Sequence, residues 1–205
     1  MFRIFCLCLA LAALPAAAEI GMREGVTPVR KLPPVQNTEH LVRLDVPQVS
    51  QGRDPICVPT SAAMILAYYG ALHDKWALKR LAESHKPISK RNADFTLWAD
   101  MQKGLRKLGS SWQIKSYPRS DAGFDRGLRD IRAALRKGRP VMIEVDLDVG
   151  HTFVVTGFDD AGSRVFIRDP LLTRSQMRVL SYATLRENWH NHRFGPDRSA
   201  FFSQP

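Results

Sequence analysis

The hydrophobic pattern changes period at Gly138-Arg139-Pro140, and that change fixes the class of fold. Before it, apolar residues recur at helical spacing. From Val58 to Tyr69 they are Ala62, Ala63, Ile65, Leu66 and Tyr69, with Gly70 ending the segment and Pro59 suited to the first turn, where a missing N–H is no loss. Asp74 is placed to cap a helix over Lys75 to Ser84, and Asp94 to start one through Trp98, Met101, Leu105 and Leu108 to Gly109. Asp125 to Lys137, with Leu128, Ile131, Ala134 and Leu135 on one face, is the most regular helix. After Pro140 the texture becomes short runs separated by turns: Val141 to Val145, Thr152 to Phe158, Val165 to Ile167 and Met177 to Leu180. Two further strands are expected earlier, at Leu41 to Val46 and Ser110 to Tyr117, and a last helix over Tyr182 to Trp189 capped by Ser181. Helices first and strands later predict an α+β fold with a helical N-terminal half and an antiparallel-sheet C-terminal half.

Residues 1–18 read as a secretory signal: Arg3, the apolar stretch Ile4 to Leu14, then Pro15-Ala16-Ala17-Ala18 before a cut at Glu19. That stretch is too short for a stable membrane span, and Cys6 and Cys8 lie inside it. The mature chain is therefore expected to be soluble, without a membrane span, and periplasmic or secreted. Residues 19–40, with Pro28, Pro33 and Pro34, read as an extended N-terminal arm, and residues 41–205 as one domain. The net charge is +10, falling to +9 when Arg3 leaves with the signal. The basic residues are scattered along helical stretches, with no zinc-finger spacing or aromatic RNA-binding motif beside them. They read as solvated helix faces, and no nucleic-acid partner is expected.

Cys57 is the only cysteine left after the signal is removed. Exported proteins favour paired cysteines, so an odd thiol points to reactivity. A buried free cysteine is the inert alternative. Cys57 stands at the mouth of the first long helix, where the backbone dipole favours a thiolate. Thiol hydrolysis also needs a base, a group to orient it and donors for an oxyanion. His151, following Gly150 at the head of an apolar strand, is the best base, and Asp169, closing the next strand before Pro170, is its candidate orienter. Gln51, six residues before Cys57, is the candidate oxyanion donor, with Gln48 as a competitor in the same loop. His190 and His192 have metal-like spacing but no evident carboxylate or thiol partner, and read as solvated; neither a metal nor a cofactor is expected. Trp76, Trp98, Trp112 and Trp189 read as core.

The stretch from Val46-Pro47 through Gln51, Cys57 and Tyr68-Tyr69-Gly70 resembles the start of the bacteriocin-processing (double-glycine) cysteine peptidases, stand-alone members of which belong to the papain-like superfamily. Lys137-Gly138-Arg139-Pro140-Val141, Gly150-His151-Thr152-Phe153-Val154-Val155, Gly157-Phe158-Asp159-Asp160, Asp169-Pro170 and Leu185 to Trp189 extend the resemblance over residues 45–190. It implies a papain-like fold and an exported peptidase using Cys57, His151 and Asp169, with Gln51 at the oxyanion. It further implies cleavage of an exported protein or peptide after small residues such as Gly-Gly. The peptide-export role of the transporter-fused members does not carry over, and secretion or fibre-assembly machinery stands as an expected partner apart from the resemblance. Family members carry glycine after the nucleophile, whereas this chain has Val58, a branch expected to narrow the approach to the thiol. Three other readings remain: a catalytically silent binding module, acyl transfer or amide hydrolysis on a non-peptide substrate, and redox chemistry, which lacks a resolving cysteine in the mature chain.

Overall fold

The computed structural model describes residues 26–28, 37–92, 95–146, 150–173, 177–190 and 195–205. The signal segment, most of the arm, Asp94 and His192 lie outside the described residues. In chain order the strands are β1 (Val26–Pro28), β2 (Leu41–Arg43), β3 (Gln113–Tyr117), β4 (Val141–Val145), β5 (His151–Asp159), β6 (Arg164–Arg168), β7 (Arg178–Ser181) and β8 (Arg198–Phe202). The helices are α1 (Cys57–Tyr68), α2 (Lys75–Ala82), α3 (Trp98–Lys107), α4 (Asp121–Arg136) and α5 (Tyr182–Asn188).

Local chemistry accounts for most of the helix ends. The Asp74 side chain accepts from the Ala77 N–H and starts α2, and Ser181 accepts from the Thr184 N–H and starts α5, both as the sequence predicts. Helix α4 begins a turn earlier than Asp125, because Ser120 caps it and Phe124 extends its buried stripe through Leu128, Ile131 and Leu135. Gly70, Gly109 and Gly138 follow α1, α3 and α4 with positive φ angles of 87°, 82° and 69°. Among the described residues no helix is long and apolar enough to cross a membrane.

All pairings are antiparallel, in the order β1-β7-β6-β5-β4-β8-β3. The fold is α+β, but the sheet recruits strands from both ends of the chain. Strand β1 lies within the expected arm and pairs with β7. Strand β8 falls in a segment to which the sequence reading assigns no element, yet it sits inside the sheet between β4 and β3. Its Phe201 explains why: the ring packs 5.6 Å from both Trp98 and Trp112, joining the sheet to α3 and the loop that follows it. Trp112 and Trp189 are fully buried, whereas Trp76, expected in the core, is exposed.

Helix α1 is apolar or small almost all round and is buried from Val58 to Leu66, packed on β5 and against α2 and α3. It is therefore a central helix with little freedom to shift. Strand β5 carries a register shift between Val155 and Gly157. Beyond that point β2 replaces β4 at its side, with Arg43 opposite Gly157. A Cβ on Gly157 would lie 2.2 Å from the Val42 carbonyl oxygen and 3.0 Å from Arg43 Cα. Both are backbone atoms that cannot rotate away. Gly157→Ala is expected to lower stability by about 1–3 kcal/mol through this overpacking, read as a reduced urea midpoint; an unchanged midpoint would show that β2 does not lie against β5 as described.

Candidate active site

Cys57 is the first residue of α1. The preceding Ile56 has no capping side chain, and the first turn holds no acidic residue. The unpaired backbone N–H groups of that turn thus keep their positive potential for the sulfur instead of a carboxylate. The thiol is half-buried and unpaired in any disulfide. Burial pushes its pKa up, but a hydrogen bond with His151, the positive charge of that ring and the Thr152 backbone N–H outweigh burial and hold it below the usual thiol value.

His151 opens β5, directly after Gly150, whose φ of 84° makes the turn into the strand. It is paired with Val145 on β4, so its backbone is fixed in the sheet while its side chain reaches the strand end. Its Nε2 donates to Asp169 Oδ1 at 2.8 Å, which leaves Nδ1 as the ring nitrogen available to the thiol. Burial alone would favour the neutral ring. The hydrogen bonds and charges of Asp169 and Cys57 override it and push the His151 pKa up to about 10. These contacts favour the protonated ring and the deprotonated thiol as a facing pair.

Asp169 follows β6 and has no solvent exposure. Burial opposes its charge, but the His151 ring, the Leu171 N–H (2.9 Å to the same Oδ1) and the Arg178 guanidinium keep its pKa below the ordinary carboxylate range. In the β5–β6 ladder Val154 stands opposite Arg168, so the strands deliver His151 and Asp169 to the same end of the sheet. The fold thus brings the side chains of Cys57, His151 and Asp169 into one line of contacts.

Gln51 is buried in the loop before α1. Its Nε2 donates to the Asp54 carbonyl at 2.8 Å, and the Ile56 N–H donates to the same oxygen at 2.8 Å. That shared acceptor holds the Gln51 amide beside the backbone that leads into Cys57, with one Nε2 hydrogen still available. The competitor Gln48 faces elsewhere: its Nε2 meets the carbonyl oxygens of Asp169 (2.7 Å), Val49 (3.2 Å) and Leu172 (3.3 Å).

Three placements depart from the sequence reading. His190 is buried, not solvated, and its Nδ1 lies 3.8 Å from an Asp146 carboxylate oxygen. Val58 is buried in the core, so its branch is taken up by interior packing. Thr152 was not singled out, yet three contacts converge on it: its N–H holds the thiol, its carbonyl accepts from Ser61 Oγ at 3.2 Å, and its Oγ1 accepts from Trp98 Nε1 at 3.1 Å. A polar residue immediately after the histidine, in an otherwise apolar strand, was the available signal.

Residues 43–195 match the Peptidase_C39 like family. No curated protein matches the chain. Among solved structures it is similar to the peptidase domain of Streptococcus ComA, a bi-functional ABC transporter involved in a quorum-sensing pathway, with a TM-score of 0.55 and 19% identity over 78% of this chain and 98% of that one. It is also similar to a double glycine motif protease from an AMS/PCAT transporter, solved in complex with the leader peptide, with a TM-score of 0.54 and 16% identity over 87% of this chain and 98% of that one. At these identities the two structures speak for the fold, which they share with this chain across nearly their whole length. With the family match covering most of the sequence, the chain belongs to the Peptidase_C39 like family and is a cysteine peptidase of papain-like fold.

Proposed function

We propose that this protein is exported and hydrolyses a peptide bond in an exported protein or peptide by a Cys57–His151–Asp169 mechanism, after small residues such as Gly-Gly. The observation that carries the mechanism is the continuous chain of contacts from the thiol at the N-terminus of α1, through the His151 ring, to the buried Asp169 carboxylate. The Cys57 thiolate attacks the scissile carbonyl carbon, and the carbonyl electron pair moves to oxygen. That oxyanion is held by the free Nε2 hydrogen of Gln51 and the Cys57 backbone N–H. His151 gives its proton to the departing amine as the C–N bond breaks, leaving a thioester. Water then attacks with His151 as base, the C–S bond breaks, and the acid product leaves with thiolate and imidazolium restored. Asp169 holds the ring by Nε2 throughout and takes no proton.

The substrate reading is supported by the two structural relatives, one a double glycine motif protease bound to a leader peptide. A net charge of +9 on the mature chain favours encounter with neutral or acidic segments. Export rests on the signal-like residues 1–18, and a partner in secretion or fibre assembly on the transporter context of the relatives. Expression of the full chain in a cell with an export pathway tests the first point: a mature N-terminus at Glu19 in the exported fraction is expected, and an intact Met1 in the cytoplasm would contradict it.

Matched peptides carrying Gly-Gly, Ala-Ala or Leu-Leu before the cut test the rest. Gly-Gly is expected to be cleaved best, with Cys57→Ala inactive but folded and His151→Ala nearly inactive. Asp169→Asn is expected to lose less than His151→Ala, and Gln51→Ala to lower kcat by roughly 10²–10³. Preference for Leu-Leu would remove the small-residue reading. Intact binding of an exported partner, with no peptide cleaved, would favour a binding module.

The pH dependence follows from the directions of the two shifts. The ion pair requires Cys57 deprotonated and His151 protonated. Activity is expected to rise with pH through a thiol value held below the ordinary free-thiol range, then to fall as the imidazolium loses its proton toward about 10. A rise centred in the ordinary free-thiol range would show that the ion pair does not form.

A further inference from the structure

Two loops of different parentage meet beside the active site. One, residues 47–55, leads into Cys57 and carries Gln51; the other, 169–172, carries Asp169. Four hydrogen bonds from three residues join them or their flanks. Arg168 Nε donates to the Val46 carbonyl at 2.8 Å, the Gln51 N–H donates to the Pro170 carbonyl at 2.7 Å, and Gln48 Nε2 donates to the Asp169 carbonyl at 2.7 Å, with the Leu172 carbonyl at 3.3 Å. The orientation of the Gln48 amide is fixed, because turning it over would place its oxygen against three carbonyl oxygens. Two of the three residues donate from the main chain or from the guanidinium Nε of a buried arginine. Gln48 alone reaches with a side-chain amide from the first loop to the backbone of the residue whose carboxylate holds His151.

We infer that Gln48 is a positioning residue of the peptidase reaction, its side-chain amide holding the Asp169 turn against the Gln51 loop and so keeping the ring-orienting carboxylate in register with the oxyanion donor. The inference rests on the proposed Cys57–His151–Asp169 mechanism. Gln48 touches no reacting atom. Without it the Asp169 backbone loses a donor, the carboxylate is free to shift relative to His151, and the imidazolium is less well held.

The test combines Gln48→Met, which keeps side-chain length but has no donor, with Asp169→Asn and the double variant. It reads peptide turnover and the pH dependence of Cys57 alkylation by iodoacetamide, which needs no substrate. For Gln48→Met, kcat is expected to fall roughly 10- to 100-fold with KM little changed, as for a small misplacement in a catalytic group. The alkylation profile should move toward that of a free thiol. In the Asp169→Asn background Gln48→Met should add little, because it acts through the same carboxylate. An alkylation profile identical to wild type, or full multiplication of the two losses, would overturn the inference and leave Gln48 as a loop fastener. Should Gln48→Met not fold, Gln48→Glu decides. Its carboxylate repels the three carbonyls at neutral pH, but its protonated form regains a donor, so turnover relative to wild type should recover on acidification; no recovery overturns the inference. A wild-type thiol that alkylates like a free one would instead remove the proposed mechanism, whatever the Gln48 variants do.

Discussion

The site depends on a buried hydrogen bond between an imidazole and a carboxylate. Asp169 has no contact with solvent, and an isolated charge in that position would be costly. It remains ionised because His151 and the Leu171 N–H donate to it and Arg178 lies close enough to favour its charge. The protonated ring is in turn favoured because the Asp169 carboxylate lies on one side of it and the Cys57 sulfur on the other. Each charge is tenable only while its neighbour is present. Two negative groups share one positive ring, and the uncapped N-terminus of α1 together with Arg178 offsets the excess.

Such an arrangement tolerates little motion, and the fold supplies rigidity from three directions. Helix α1 is clamped by its buried sides, which sets the sulfur. The β4–β5–β6 ladders set His151 and the end of β6. The loops that complete the site are joined to each other by backbone and amide hydrogen bonds, so their positions follow from the framework and not from their own sequence preferences. Thr152 links all of these. It belongs to β5, supports the thiol through its N–H, and is held by Ser61 of α1 and Trp98 of α3.

What was legible in the sequence was local. The caps at Asp74 and Ser181 announce α2 and α5, and the helical stripe of α4 needs no tertiary information. Cys57, His151 and Asp169 stand out in the sequence because an odd thiol, a histidine opening a strand and an aspartate closing the next one are each tied to an element boundary, and the fold brings them together. What was not legible depends on partners distant in the chain. Strand β8 (Arg-Ser-Ala-Phe-Phe) lacks the β-branched residues that mark β4 and β6, and is defined by its pairing with Val141 to Ile143 and with β3. The burial of His190 beside Asp146 and the inward packing of Val58 are likewise tertiary outcomes. Gln51 and Gln48 compete in the sequence as two amides of one loop, and in the fold they take different acceptors, the Asp54 carbonyl for Gln51 and the Asp169 carbonyl for Gln48.

The central claim is that Cys57 and His151 rest as thiolate and imidazolium, and the protonation state of the His151 ring tests it most directly. Nitrogen-15 chemical shifts of that ring, followed through a pH titration of the resting protein, are predicted to show both nitrogens protonated across the neutral range, with deprotonation only as the pH rises toward about 10. In Cys57→Ala the transition is predicted to move down, because one of the two anions that hold the proton has gone. A ring that titrates near the ordinary histidine value of 6.5, unchanged by loss of the thiol, would contradict the account.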